Sequence, residues 1–188
     1  LFSAECHGGA RWHVGIMNRR ESPFEEIAAL RELMPDVLLQ TLIRETNLFG
    51  YRPYPRRVIE HVVARVDIDV WRCFSFLNDV RNMRAVAETV LARGRLFQPT
   101  ISFTAADWAT DAYYLGVVRD PVALCGGTLE IVLCLKDMAG VGSITRIGRL
   151  VDEIKQAYPD LVVGYHRHIT DGLAMPALLA AARAGAKI

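Results

Sequence analysis

Short apolar runs alternate along this chain with longer stretches in which apolar residues recur at helical spacing, and six such pairs fit into its 188 residues. That alternation is the pattern of βα units whose strands pair in parallel, because a parallel strand must be followed by a crossover long enough to hold a helix. The expected strands are Phe2 to Cys6, Leu38 to Arg44, Asp69 to Phe76, Thr100 to Thr104, Ile131 to Lys136 and Val162 to His168. Helical patterns lie near Phe24 to Leu33, Arg56 to Val66, Met83 to Arg93, Asp111 to Leu124, Ile144 to Tyr158 and Leu173 to Ala184. Ser22-Pro23 offers a helix start, with serine at the N-cap and proline at the first position, and Gly94 and Gly185 stand where helices should stop.

Composition narrows the function classes. At 52% hydrophobic and 23% charged residues the chain can bury a core, and a single α/β domain is the expected count. Lys and Arg total 22 against 21 acids and are scattered, which argues against nucleic acid or an anionic membrane surface as partner. Charge or glycine breaks the apolar stretches within about ten residues, short of the ~20 that span a bilayer, so no direct membrane insertion is expected. Leu1 to Cys6 have no basic segment and no signal-type apolar region. Cys6, Cys73, Cys125 and Cys134 form no CxxC pair, and three of them sit in apolar runs, which points to a reducing compartment: a bacterial cytoplasm, with a mitochondrial matrix as the alternative.

Six βα units fit either an open doubly wound sheet or part of an eight-unit barrel. No GxGxxG follows the first strand and no Walker loop is present, so the nucleotide-binding reading of an open sheet has no support. The expected C-terminal strand ends carry Glu5, Arg44, Arg72, Asn78, Lys136-Asp137 and His166-Arg167-His168, and barrel enzymes gather their chemistry at those ends. The barrel is therefore preferred: an α/β fold forming a partial TIM (β/α)8 barrel of about six βα units.

Three groups of residues could carry chemistry. On a strand, His166 and His168 project to one face and Arg167 to the other, and two converging imidazoles suit Zn, Co or Mn; a polar strand edge with two solvated histidines is the alternative. Lys136 closes an apolar run at the presumed barrel mouth, where a desolvated amine forms a Schiff base or takes up carbon dioxide as a carbamate; a lysine that snorkels to solvent and pairs with Asp137 explains it too. Arg72 and Arg44 are embedded in apolar sequence, and a guanidinium fork can grip a substrate carboxylate. Ion pairing with Glu5, Glu45 or Asp79 accounts for either arginine equally, and substrate contact is placed ahead for Arg72 only.

These residues lie in blocks that resemble the carboxyltransferase domain of biotin-dependent pyruvate carboxylase, transcarboxylase and oxaloacetate decarboxylase. Residues 2–10 are similar to FSLECWGGA, residues 42–51 to LLRGxNxxGY and residues 69–79 to DVFRxFDxxND; Lys136-Asp137-Met138-Ala139-Gly140 matches KDMAG, and His166 to Gly172 resembles HTHDTxG. The blocks follow the family's order and cover nearly the whole chain.

The resemblance implies a (β/α)8 barrel with a divalent metal held by an aspartate, a carbamylated lysine and two histidines. Carried over, Lys136 is the carbamylated ligand, His166 and His168 are the imidazole ligands, and Arg72 is the clamp on the carboxylate of pyruvate or oxaloacetate; Arg44, in the block of residues 42–51, stays a second candidate substrate-binding residue on the chemistry of its guanidinium alone. Carboxyl transfer then runs through an enolate, with biotin supplied by a separate carboxyl carrier domain in a multidomain or oligomeric assembly. The resemblance also implies that the family's first strand, with its metal aspartate, precedes Leu1 and that the last strand lies beyond Ile188, so both are missing from the chain. Within the blocks, Glu45 replaces glycine, Ser75 and Ile169 replace aspartates and Arg11 replaces a small polar residue, which removes acids that would orient the ligands.

Two rivals stand beside this reading. A metal-dependent lyase or condensing barrel also uses a strand-end HxH pair, but those enzymes resemble DTxG where this chain has KDMAG. A catalytically silent barrel fragment is favoured by the lost acids and opposed by the joint retention of Lys136, His166, His168 and Arg72.

Overall fold

The strands and helices alternate as the apolar periodicity demands. The computed structural model describes residues 3–126 and 132–187. Its elements are β1 (Ser3–Gly8), α1 (Ala10–Val14) running into a π-helical turn (Gly15–Arg19), α2 (Pro23–Leu33), β2 (Leu38–Arg44), a 3-10 turn (Glu45–Asn47), α3 (Arg56–Arg65), β3 (Val70–Ser75), α4 (Val80–Leu91), β4 (Leu96–Ser102), α5 (Asp111–Leu124), β5 (Val132–Asp137), α6 (Ile144–Ala157), β6 (Val162–Arg167) and α7 (Ala174–Arg183). The strands neighbour one another in chain order, and this α/β succession of parallel strands and crossover helices is that of a partial TIM barrel. No described helix is long and apolar enough to cross a membrane.

The bounds of β2 and α5 coincide with the sequence expectation, while β4 starts at Leu96 rather than Thr100. Gln98 and Pro99 disguise its beginning, since a polar side chain and a residue without an N–H both read as strand breakers, yet Gln98 is buried. Helix α1 and the π turn are too short for periodicity to announce. Ser22 does occupy the N-cap of α2, but its side chain makes no capping bond; its carbonyl receives Glu26 N–H at 3.1 Å. The expected strand positions Phe2 and Ile131 lie outside the described residues.

The chain divides into two compact units, residues 1–75 with 81–98 and residues 76–80 with 99–188, and β4 passes from one to the other after Gln98. In the first unit β1, β2 and β3 pair in parallel, with Glu5 opposite Gln40 and Leu42 opposite Arg72. Strands β2 and β3 are buried along most of their length, as parallel strands covered on both faces must be. Leu39, Ile43, Trp71 and Cys73 are fully buried, as are Ile27 of α2, Ile59 of α3 and Val86 of α4.

The N-terminal ends of these strands are tied by charge. Asp69, just before β3, accepts from Leu39 N–H at 2.8 Å and Arg95 Nη1 at 3.2 Å and also pairs with Arg31. Asp67 takes the remaining arms, Arg31 Nε at 2.9 Å and Arg95 Nη2 at 3.2 Å. Asp69 and Leu39 exchange backbone and side-chain bonds as well, so one carboxylate clamps α2, β2 and the lead into β4.

In the second unit β4, β5 and β6 pair in parallel, and Thr110 and Ser143 cap α5 and α6 by accepting from the backbone N–H three residues on. Leu133 and Leu135 of β5, Val163 of β6, Ile147 and Leu150 of α6 and Ala177 of α7 form its core.

Asp69→Asn keeps the shape of the side chain but leaves Arg31 and Arg95 to share the single anion of Asp67. The expected loss is about 2 kcal/mol of unfolding free energy, read from the urea midpoint at unchanged slope.

Candidate active site

Strands β5 and β6 pair so that Lys136 faces His166 and Asp137 faces Arg167. Lys136 also stands opposite Ser102 of β4, and its carbonyl accepts from Phe103 N–H at 2.8 Å. Lys136 is only 3% exposed, so it does not snorkel to solvent. Its neighbour Asp137 points to the opposite face of the strand, where its oxygens accept from Val141 N–H at 3.0 Å and Gly142 N–H at 2.8 Å.

His166 is half-buried and His168, one step past β6, is exposed. The His168 N–H bonds the carbonyl of Asp137 at 3.2 Å and so extends the ladder by one rung. The period of two then brings the imidazoles to one side, with ring centroids 5.2 Å apart and planes tilted by 56°. The second unit thus brings together Lys136, His166 and His168. Gly140 closes KDMAG with φ of +67°, and a Cβ there would lie 2.8 Å from the carbonyl oxygen of His168, so the close approach of the two strand-end loops requires glycine.

Two neighbouring imidazoles are donors that suit a divalent metal of the kind the resemblance implies. Among the described residues no three His, Cys, Asp or Glu side chains gather to hold an ion. Lys136, in register with His166, is the group beside the two imidazoles that a carbamate would turn into a third donor.

The two arginines belong to the first unit. Arg72 is bound by Glu5, which accepts from Nη1 at 2.8 Å, and by Gln98, which accepts from Nε at 2.6 Å. Glu5 also accepts from Gln40 Nε2 at 2.9 Å, and Gln40 accepts from Ser3 at 3.0 Å. A polar chain therefore crosses β1, β2, β3 and β4 on one face. Arg44 instead folds over its own loop, donating Nη1 to the carbonyls of Phe49 at 3.2 Å and Gly50 at 3.4 Å and lying 4.9 Å from the centre of the Tyr51 ring. Asn78 is structural, bridging the N–H and the carbonyl of Ser102 at 2.7 and 3.0 Å.

Sequence reasoning missed Gln40 and Gln98, which hold Arg72 in place through Glu5 or directly. The available signal was a polar residue inside each apolar run. It also missed the cluster around His7. Glu26 of α2 accepts from Arg11 and stands 3.2 Å from His7 Nε2, while Trp12 stacks on Phe49 at 4.1 Å and meets the His7 ring edge-on. His7 is 4% exposed, and its Nδ1 has no hydrogen-bond partner among the described residues.

The fold and the strand-end residues define a TIM-barrel-type α/β domain with a lysine and two histidines at the ends of adjacent strands. No protein-family model matches the chain. Over its whole length, however, it is homologous to the carboxyltransferase domain of pyruvate carboxylase. It is 36% identical over 198 residues to the mitochondrial pyruvate carboxylase of Homo sapiens, covering 100% of this chain and 16% of that protein. It is 34% identical over 185 residues to the pyruvate carboxylase of Staphylococcus aureus, covering 91% of this chain and 15% of that protein. The solved carboxyltransferase domain of Rhizobium etli pyruvate carboxylase with pyruvate superimposes with a TM-score of 0.91 at 31% identity, over 99% of this chain and 32% of that one. The same domain has been solved with pyruvate and biocytin. The chain spans about a sixth of the length of these two curated relatives.

One departure from the family blocks now has a physical cost. Glu45, where the block has glycine, sits at φ of +48°, and its Oε1 is buried with no hydrogen-bond partner among the described residues. Glu45→Gly removes both penalties and adds only the entropy of glycine in the unfolded chain, so stability should rise by up to about 1 kcal/mol in a denaturant titration.

The His7 cluster predicts a pH dependence. Burial pushes the His7 imidazole below its ordinary 6.5, against the opposing pull of Glu26 and with a smaller contribution from Arg11. The unfolded chain therefore takes up this proton first. The contribution of His7 to stability is complete above its unfolded pKa and is lost as pH falls below it. Unfolding free energy should drop from about pH 7.5 to about pH 5.5, and more steeply in the parent than in His7→Phe.

Proposed function

We propose that this chain performs carboxyl transfer between biotin and a 2-oxoacid, pyruvate or oxaloacetate, through an enolate. The observation that carries the reading is a buried Lys136 in register with His166, whose ring neighbours His168, in a chain homologous throughout to domains solved with pyruvate.

Lys136, as a carbamate, and the imidazoles of His166 and His168 would hold a divalent metal such as Zn, Co or Mn. Bound there, the metal supplies Lewis acidity that favours the enolate over the keto acid. Carbamylation joins the neutral amine, the form that removal from water favours, to carbon dioxide through a new N–C bond and releases a proton.

Arg72 is the carboxylate clamp: Glu5 and Gln98 fix the plane of its guanidinium, and a planar fork held in place binds a carboxylate with little loss of side-chain entropy. Arg44 contributes to substrate binding by setting the loop after β2 and adding positive charge at that strand end. Biotin arrives on a carboxyl carrier domain, within a multidomain or oligomeric assembly. Among the described residues no disulfide joins the cysteines, which suits a reducing compartment such as a cytoplasm or a mitochondrial matrix.

The test is metal content of the full chain with and without bicarbonate, beside Lys136→Ala and His166→Ala, followed by oxaloacetate decarboxylation. Transition metal bound near one equivalent with bicarbonate, and at least about tenfold more weakly in each variant, is the expected result. Equal binding by all three proteins would mean that the ligands are not assembled and that this is a barrel segment without its own chemistry.

A further inference from the structure

We infer that Arg167 is a positioning residue that holds the strand ends carrying Lys136, His166 and His168. The assignment rests on the proposed function only in naming what is positioned.

Arg167 lies on β6 between the two histidines but on the reverse face of the strand, and its side chain is fully buried. Nη1 donates to the carbonyl of Gly142 at 2.6 Å and lies 3.5 Å from Asp137 Oδ2. Nη2 donates to the carbonyl of Gly140 at 2.7 Å and to Asp171. Asp137 in turn receives the N–H groups of Val141 and Gly142. One guanidinium thus fastens the loop after β5, the strand β5 itself and the turn after β6. Thr170 adds a bond to the carbonyl of Ala139 at 2.7 Å, joining the same two loops a second time.

Register makes this a positioning device and not merely an anchor. Asp137 and Arg167 are opposite each other one step after Lys136 and His166. A one-residue slip of β6 on β5 would carry the imidazoles to the wrong face and would leave Asp137 buried without its cation. The buried pair therefore opposes any register that separates the groups on the front face.

The sequence around it departs from the family block at two positions. Relative to the HTHDTxG block, Arg167 stands in the threonine position, Ile169, 77% exposed, in the acid position, and Asp171 in the variable one. The acid absent beside His168 is present two residues on, where it meets Arg167. A lysine cannot replace this arginine, because its single ammonium cannot reach two carbonyls and two carboxylates at the spacing of a planar fork.

The test compares the full chain with Arg167→Lys, which keeps the charge and loses the fork, and with Asp171→Asn, at a partly exposed position where folding is not at stake. Amide exchange at Val141 and Gly142 and the ring resonances of His166 and His168 are the readouts. In Arg167→Lys these two amides should exchange about tenfold faster or more and both ring signals should move, while Leu133 and Val163 keep their protection. Asp171→Asn should shift His168 and leave Gly142 nearly as protected as in the parent. Parent-like exchange and ring signals in Arg167→Lys would overturn the assignment, as would equal acceleration at Leu133 and Val163, which marks general destabilisation. Should Arg167→Lys not fold, an unmoved His168 in Asp171→Asn would overturn it and a shifted one would support it. In turnover of oxaloacetate the lysine variant should lose kcat with KM nearly constant. An inactive parent would sink the functional reading and leave exchange and ring signals to decide this one.

Discussion

A parallel ladder allows side chains to reach a common face only at every second residue, and that constraint organises the polar groups on the strands of this chain. On β5 and β6 it sets Lys136 opposite His166 and sends Asp137 and Arg167 to the other side. On β1, β2 and β3 the same period places Glu5, Gln40 and Arg72 on one face, while Leu39, Ile43, Trp71 and Cys73 fill the other. Gln40 and Arg72 are tolerated in these strands because each meets Glu5 across a strand, at 2.9 Å and 2.8 Å.

The two ends of the strands do different work. In the first unit the N-terminal ends hold Asp67 and Asp69 between Arg31 and Arg95, a compact arrangement in which every carboxylate meets a guanidinium. In the second unit the C-terminal ends hold the lysine and the histidines, with the buried ion pair behind them.

Much of this was legible in the chain itself. Apolar periodicity located the strands, and an HxH pair on a strand had to share a face whatever the tertiary fold. Other features had no local signature. Gln98 and Pro99 concealed the start of β4 because their burial depends on partners far away in sequence. The left-handed backbone of Glu45 became visible only once the turn after β2 was in place. The sequence offered Glu5, Glu45 and Asp79 as ion-pair partners for the arginines without ranking them, and the structure places Glu5 2.8 Å from Arg72.

The amino-acid sequence by itself determined the alternation of strands and helices, the face on which each strand residue lies and the identity of the chemical groups at the strand ends, since these follow from local periodicity and residue chemistry. Only the tertiary structure decided which groups meet: that Arg44 turns back on its own loop, that Glu5 and Gln98 hold Arg72, and that Arg167 ties two loops through Asp137 and Asp171. Those contacts join residues distant in sequence, and their distances depend on how the strands pair and the loops close, which no single segment encodes.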